Sequence, residues 1–167
     1  AVLLCHAGQP VSPERLIEAL WGADPPPSAT SNLHVYVHRL RKVLGSDRVI
    51  GRGGAGYTLA TQPGELDAQR FVELGADGQD ALASGDVILA DRRLREALAL
   101  WRGDPLSDLD GEPALREEIA RLVEHRLIFL EHRIDAALGL WRHSDLIPEL
   151  TALAREYPYR ERFSWQL

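Results

Sequence analysis

The sequence predicts a mainly α-helical chain with one small β ribbon, in which a helix-turn-helix unit with a wing precedes an all-α domain. Three observations lead there. The stretch from Ser28 to Gly45 sets Leu33, Val37, Leu40 and Leu44 on one stripe of a helix at about 100° per residue, with Tyr36 and Val43 on its flank. A glycine-rich ribbon, R-V-I-G-R-G-G-A-G-Y-T-L-A-T, follows directly. Beyond Gly64 the text is helical almost throughout, and R-L-R-E-A-L-A-L-W-R at Arg93 to Arg102 returns as R-I-D-A-A-L-G-L-W-R at Arg133 to Arg142, an offset of 40 residues.

Each element has its own signal. Ala1 to Ala7 reads as a helix end stopped by Gly8, because glycine adopts positive φ at little cost. Ser12 caps a second helix with Pro13 at its first position and Glu14 near the positive dipole end. Leu16, Ile17, Leu20 and Trp21 make its buried face before Gly22. Ala23 to Pro27, with three consecutive prolines, makes a stiff loop into the Ser28 helix, and helix, constrained loop, longer basic helix is helix-turn-helix grammar with an enlarged turn. Arg48 to Ile50 and Tyr57 to Thr61 predict two strands closed by glycines, a wing. Further helices are expected at Leu66 to Ser84, Val87 to Arg102, Ala114 to about Trp141, Leu146 to Tyr157 and after Pro158. The 40-residue recurrence suits helical hairpins that bury their apolar faces against one another.

Charge divides the chain at Pro63-Gly64. Residues 1–62 hold six basic side chains, Arg15, Arg39, Arg41, Lys42, Arg48 and Arg52, against Glu14, Glu18, Asp24 and Asp47. The remainder holds 13 basic and 21 acidic residues, so the halves carry +2 and −8. An acidic domain does not itself seek nucleic acid, whereas a slightly basic one with its charge gathered on a single helix does. The polar side of the Ser28 helix offers Ser31, His34, Val35, His38, Arg39, Arg41 and Lys42 and no acidic residue. A merely solvated face usually mixes both signs, so this one suits phosphates and base edges.

Other chemistries find little support. The single cysteine, Cys5, excludes an internal disulfide and suits a reducing cytosol. No apolar run nears the roughly 20 residues that cross a bilayer, so no membrane partner is expected. Gly51 to Gly56 matches G-x-G-x-x-G literally, but the dinucleotide fingerprint needs a following helix, and a β-type run follows here. Asp104, Asp108, Asp110 and Glu112 miss the calcium-loop spacing and read as a solvated loop. His125, His132 and His143 lack zinc spacing and read as surface. Trp101 and Trp141, at equivalent helix ends, are expected to pack against neighbouring hairpins. Nothing pairs a nucleophile with a base, so the chain reads as no enzyme, with no cofactor or metal. The absence of Met and the apolar text at both ends lead us to expect a piece of a longer chain.

At this point the motifs converge. L-I-E-A-L-W, L-H-V-Y-V-H-R-L-R-K-V-L-G and G-Y-T-L resemble the winged-helix DNA-binding domain of OmpR-type response regulators. Joined to A-L-A-L-W-R-G-D-P-L-S-D-L and E-L-T-A-L-A-R-E-Y-P-Y-R-E-R-F, they make the chain resemble the Streptomyces antibiotic regulatory protein (SARP) family over essentially its full length. The resemblance implies residues 1–62 as a winged helix-turn-helix domain and 65–167 as a bacterial transcriptional activation domain of tetratricopeptide-like helical repeats. It also implies an activator of secondary-metabolite genes, located in the cytoplasm with the nucleoid. Its partners are double-stranded promoter DNA, bound at direct repeats beside the −35 region, RNA polymerase holoenzyme through its sigma and alpha subunits, and a second copy as a homodimer on DNA.

The contacts carried over are Ser31, Asn32, Val35, Tyr36, His38, Arg39 and Arg41; the helical wheel adds Lys42, and the wing adds Arg52. Arg39 and Arg41 suit phosphate or guanine, Asn32 adenine, and Val35 a thymine methyl. His34 and His38 depart from the residues usual in response-regulator relatives, so base preference does not transfer. The loop Ala23 to Pro27 corresponds to the polymerase-facing turn of winged-helix activators, or is a rigid connector. The alternative for the whole chain is a helical-repeat scaffold that binds protein and no DNA.

Overall fold

The computed structural model describes residues 1–51, 53–109 and 113–167. The chain divides into two compact units, Ala1–Glu65 with Pro105–Ala120, and Leu66–Asp104 with Arg121–Leu167. The segment 105–120, placed with the second domain on sequence, clusters with the first unit, where Leu115 is buried.

In the first unit, α1 (Val2–Cys5) precedes α2 (Pro13–Trp21), whose cap forms as the sequence predicts, with the Arg15 amide donating to Ser12 Oγ at 3.2 Å. α3 (Ala29–Leu44) follows the proline loop. Then β1 (Val49–Gly51) and β2 (Tyr57–Leu59) pair antiparallel, Ile50 opposite Thr58. Val11 flanks β2 on its other side, and the two residues exchange N–H to carbonyl bonds of 2.9 Å, Val11 to Tyr57 and Tyr57 to Val11. Gly56 makes this close approach possible: its φ is 99°, and a Cβ there would collide with the Val11 carbonyl. Leu3, Val11, Leu16, Leu33, Val37, Val49 and Leu59 form the core of this unit.

The predicted apolar stripe of α3 is only half buried. Leu33 and Val37 are in the core, but Leu40 and Leu44 are exposed and Val43 is 81% exposed. In α2 likewise, Leu16 is buried, Ile17 and Trp21 are half-buried, and Leu20 is exposed. The periodicity marked these faces correctly, but among the described residues no element covers them. They line an apolar groove of about 580 Å³ together with Leu109, Ala114 and Leu115.

In the second unit, α4 (Asp67–Ala83) and α5 (Val87–Ala99) fold back on one another through Gly85, with Asp86 Oδ1 accepting from the Leu89 amide at 3.0 Å as the cap of α5. From Arg121 onward, α6 (Arg116–Gly139) belongs to this unit and contributes to two cores. One joins Phe71, Ala90, Leu94, Ala97, Leu122 and Phe129; the other joins Leu127, Ile134 and Ala137 to Leu146, Leu150 and Phe163 from α7 (His143–Glu156) and α8 (Glu161–Gln166). Gly75 in α4 is buried where any Cβ would enter the Phe129 ring. The recurrence is structural, because Leu94 and Ile134, and Ala97 and Ala137, are all fully buried.

The two tryptophans part company. Trp101 packs as expected, 5.5 Å from the Phe71 ring with the Arg126 guanidinium 5.1 Å from its own. Trp141 does not. It takes φ 60° at the end of α6 and is 86% exposed, with its edge on His143. His125 and His132 also depart from a surface reading. Both are half-buried, His125 5.7 Å from Phe129 and His132 Nδ1 3.1 Å from Gln79 Nε2.

Candidate nucleic-acid interface

α3 carries the predicted contact residues. Turned at about 100° per residue, Ser31, Val35, His38 and Lys42 fall on one line directly opposite the buried Leu33 and Val37. All four are exposed. Arg39 lies beside this line toward the apolar groove, which it borders, and His34 and Arg41 lie on the other side. The helix has no acidic residue in its first turn, and Arg41 and Lys42 stand in its last, where cations also complement the helix dipole.

Three predicted contacts have partners within the protein. Asn32 is half-buried and its Nδ2 donates to Ser28 Oγ at 3.2 Å. Tyr36 stacks on Trp21, ring centroids 6.1 Å apart with 20° between planes. Arg41 donates from Nε to the Val49 carbonyl at 2.8 Å, which ties α3 to the first wing strand. Arg52 lies outside the described residues. The structure therefore brings Ser31, Val35, His38, Arg39 and Lys42 together on an open surface and engages Asn32, Tyr36 and Arg41 with partners within the protein.

A further cation of the first unit is also taken. Arg48 Nη1 donates to Glu65 Oε2 at 2.6 Å and to the Ala60 carbonyl at 3.3 Å. The Glu65 hydrogen bond raises the Arg48 pKa above its ordinary value, and the Arg48 bond lowers that of the Glu65 carboxyl, with help from the Gln62 amide. Sequence periodicity gave no signal for this pair or for the Arg41 bond, since each joins residues on different elements. The loop from Ala23 to Pro27 is exposed except at Pro26. Among the described residues no group of three or more His, Cys, Asp or Glu is placed to hold a metal ion, and no helix is long and apolar enough to cross a membrane.

Residues 1–59 match the family described as Transcriptional regulatory protein, C terminal, and residues 66–167 match the Bacterial transcriptional activator domain. The chain is similar to the regulatory protein DnrI of Streptomyces peucetius, 37% identical over 171 residues that take in 96% of this chain and 63% of that one. It is 37% identical to the regulatory protein AfsR of Streptomyces griseus over 160 residues, 96% of this chain and 16% of AfsR. Its fold is similar to that of Mycobacterium tuberculosis EmbR, solved in complex with a low-affinity phosphopeptide, with a TM-score of 0.94 and 34% identity over 99% of this chain and 45% of EmbR. The chain thus spans less than two thirds of the length of each of these relatives. The two family matches together cover nearly the whole chain, and the chain belongs to the SARP family of transcriptional activators.

Proposed function

We propose that this protein is a sequence-specific DNA-binding transcriptional activator that lays α3 in the major groove of promoter direct repeats and helps recruit RNA polymerase. The observation that carries the reading is the exposed line Ser31, Val35, His38 and Lys42, with Arg39 beside it and a wing next to the helix. Such a surface pairs phosphate-seeking charge with groups able to read base edges. Of the wider contact set, Asn32, Tyr36 and Arg52 are included on family resemblance, while Arg41 is held by the Val49 carbonyl. The exposed Ala23 to Pro27 loop is the surface offered to the sigma and alpha subunits of the polymerase, and the helical unit holds two copies together on DNA. The protein works in the cytoplasm, on the nucleoid.

A gel-shift titration of duplexes carrying heptamer direct repeats, at two salt concentrations, tests this. Binding that weakens steeply with salt and vanishes for unrelated sequence supports the proposal. No binding at either salt, with capture of a protein ligand instead, would identify a helical-repeat scaffold.

A further inference from the structure

We infer that Arg41 is a positioning residue, not a DNA contact: it fixes the wing against α3, and so sets where the wing meets the duplex. The inference rests on the DNA-binding reading for its consequence, but the contact itself is a property of the free protein.

Two observations carry it. The Arg41 Nε–H donates to the Val49 carbonyl at 2.8 Å, leaving the half-buried side chain directed across β1 and not outward with Lys42. In addition, Gly51 leaves room for the guanidinium. A Cβ there would stand 3.1 Å from Arg41 Nη2, with the Tyr57 ring on the same side at 3.8 Å. The arginine therefore spans β1 from Val49 to Gly51, the whole length of the strand. On the far side, β2 is held by Val11 and by the Gly8 amide, which donates to the Leu59 carbonyl at 2.9 Å. Arg41 supplies the corresponding hold from α3, since the Val49 carbonyl it occupies belongs to the outer strand of this small sheet. Lysine cannot replace it in kind, because a methylene stands where Nε–H is, although the charge is kept.

The test compares Arg41→Lys, Arg41→Ala and Lys42→Ala in the intact protein. Amide exchange is read without DNA, at Ala60, whose N–H donates to the Arg48 carbonyl across the wing, and at the α3 core amides. Affinity for a direct-repeat duplex is read over a range of salt. We expect both Arg41 variants to speed exchange at Ala60 about tenfold, the scale of one lost hydrogen bond, with α3 core amides and Tm little changed. Both should bind duplex equally weakly. Lys42→Ala should leave exchange untouched and lower the salt slope by about one.

Wild-type exchange in both Arg41 variants overturns the inference. So does a lysine variant that binds like wild type while the alanine variant loses about one unit of salt slope, because charge alone would then explain Arg41. If no form binds duplex, the DNA reading fails, and the Ala60 exchange still decides whether Arg41 holds the wing.

Discussion

Trp21 and Tyr36 lie ring over ring, centroids 6.1 Å apart and planes 20° apart, across the gap between the helices before and after the proline loop. The first is the last residue of α2 and the second sits midway along α3. Their stacking sets how α3 departs from the rest of the helix-turn-helix, so Tyr36 serves the interface by orienting it. An aromatic pair of this kind contributes about 1 kcal/mol beyond its buried area. A double-mutant cycle on Trp21→Ala and Tyr36→Ala should return a coupling near that value, and Tyr36→Phe should leave both stability and DNA affinity unchanged. Strict additivity of the two alanine variants in thermal unfolding would refute the orienting role.

Val35 is a hydrophobic residue on the exposed line of α3, 47% exposed between Ser31 and His38. Among the described residues it belongs to no core cluster, so Val35→Asp should change stability by no more than about 0.5 kcal/mol. On the proposed reading, in which Val35 meets a thymine methyl between phosphates, the new carboxylate should weaken duplex binding by about 2 kcal/mol, roughly thirtyfold. Fluorescence anisotropy against circular dichroism melting separates the two effects. Unaltered affinity would remove this line from the interface.

The elements were legible where local chemistry decides them. Ser12 and Pro13 announced α2, the glycines between Val49 and Tyr57 announced the wing, and the Leu94/Ile134 and Ala97/Ala137 equivalences announced repeated packing. What escaped were relationships between distant residues. Leu40 and Leu44 keep perfect helical spacing yet stay exposed, since periodicity shows which face is apolar and not whether an element covers it. Trp101 and Trp141 hold equivalent places in the recurrence, but Phe71 covers only the first. Gly75 reads as a blemish within a helix, when its missing side chain is what admits Phe129. At the site, α3 itself was legible, while the capture of Arg41 by Val49 was not: nothing in the order of residues says that a guanidinium turns to the next strand.

Asp91 is nearly buried within α5 and holds two arginines, Arg95 Nε at 2.8 Å and Arg142 Nη1 at 3.0 Å. The second bond fastens the turn between α6 and α7 to α5, next to Val87, which packs on Gly139. Each guanidinium is about half exposed and so finds water when released. Asp91→Asn should therefore cost about 1–3 kcal/mol, whereas Arg95→Ala or Arg142→Ala alone should cost less, because the carboxylate keeps one partner. Urea midpoints for the three variants and the double arginine variant give the order. A single arginine variant as damaging as Asp91→Asn would contradict the shared-partner account.

His132 should make the helical unit sensitive to mild acid. Burial depresses its pKa below the ordinary value of about 6.5, and the Arg162 charge adds to this, while Asp135 and Glu131 oppose it. Both carboxylates are engaged elsewhere, Asp135 with Arg162, and Glu131 with Arg160 and Arg162, so they do not rescue an imidazolium. Since the folded pKa lies below the unfolded one, the unfolded chain takes up the proton first as pH falls. The stability tied to neutral His132 is thus fully present above about pH 6.5 and is lost progressively as pH drops toward the folded pKa. Glu124 contributes in the same direction at lower pH, because its hydrogen bond from Arg160 depresses its own pKa. Replacing His132 with Gln keeps a partner for Gln79 Nε2 and removes the titration. Tm should then flatten between about pH 6.5 and 5, with the fall near the carboxylate range retained. An identical slope in both proteins across that interval would place the acid sensitivity in another group.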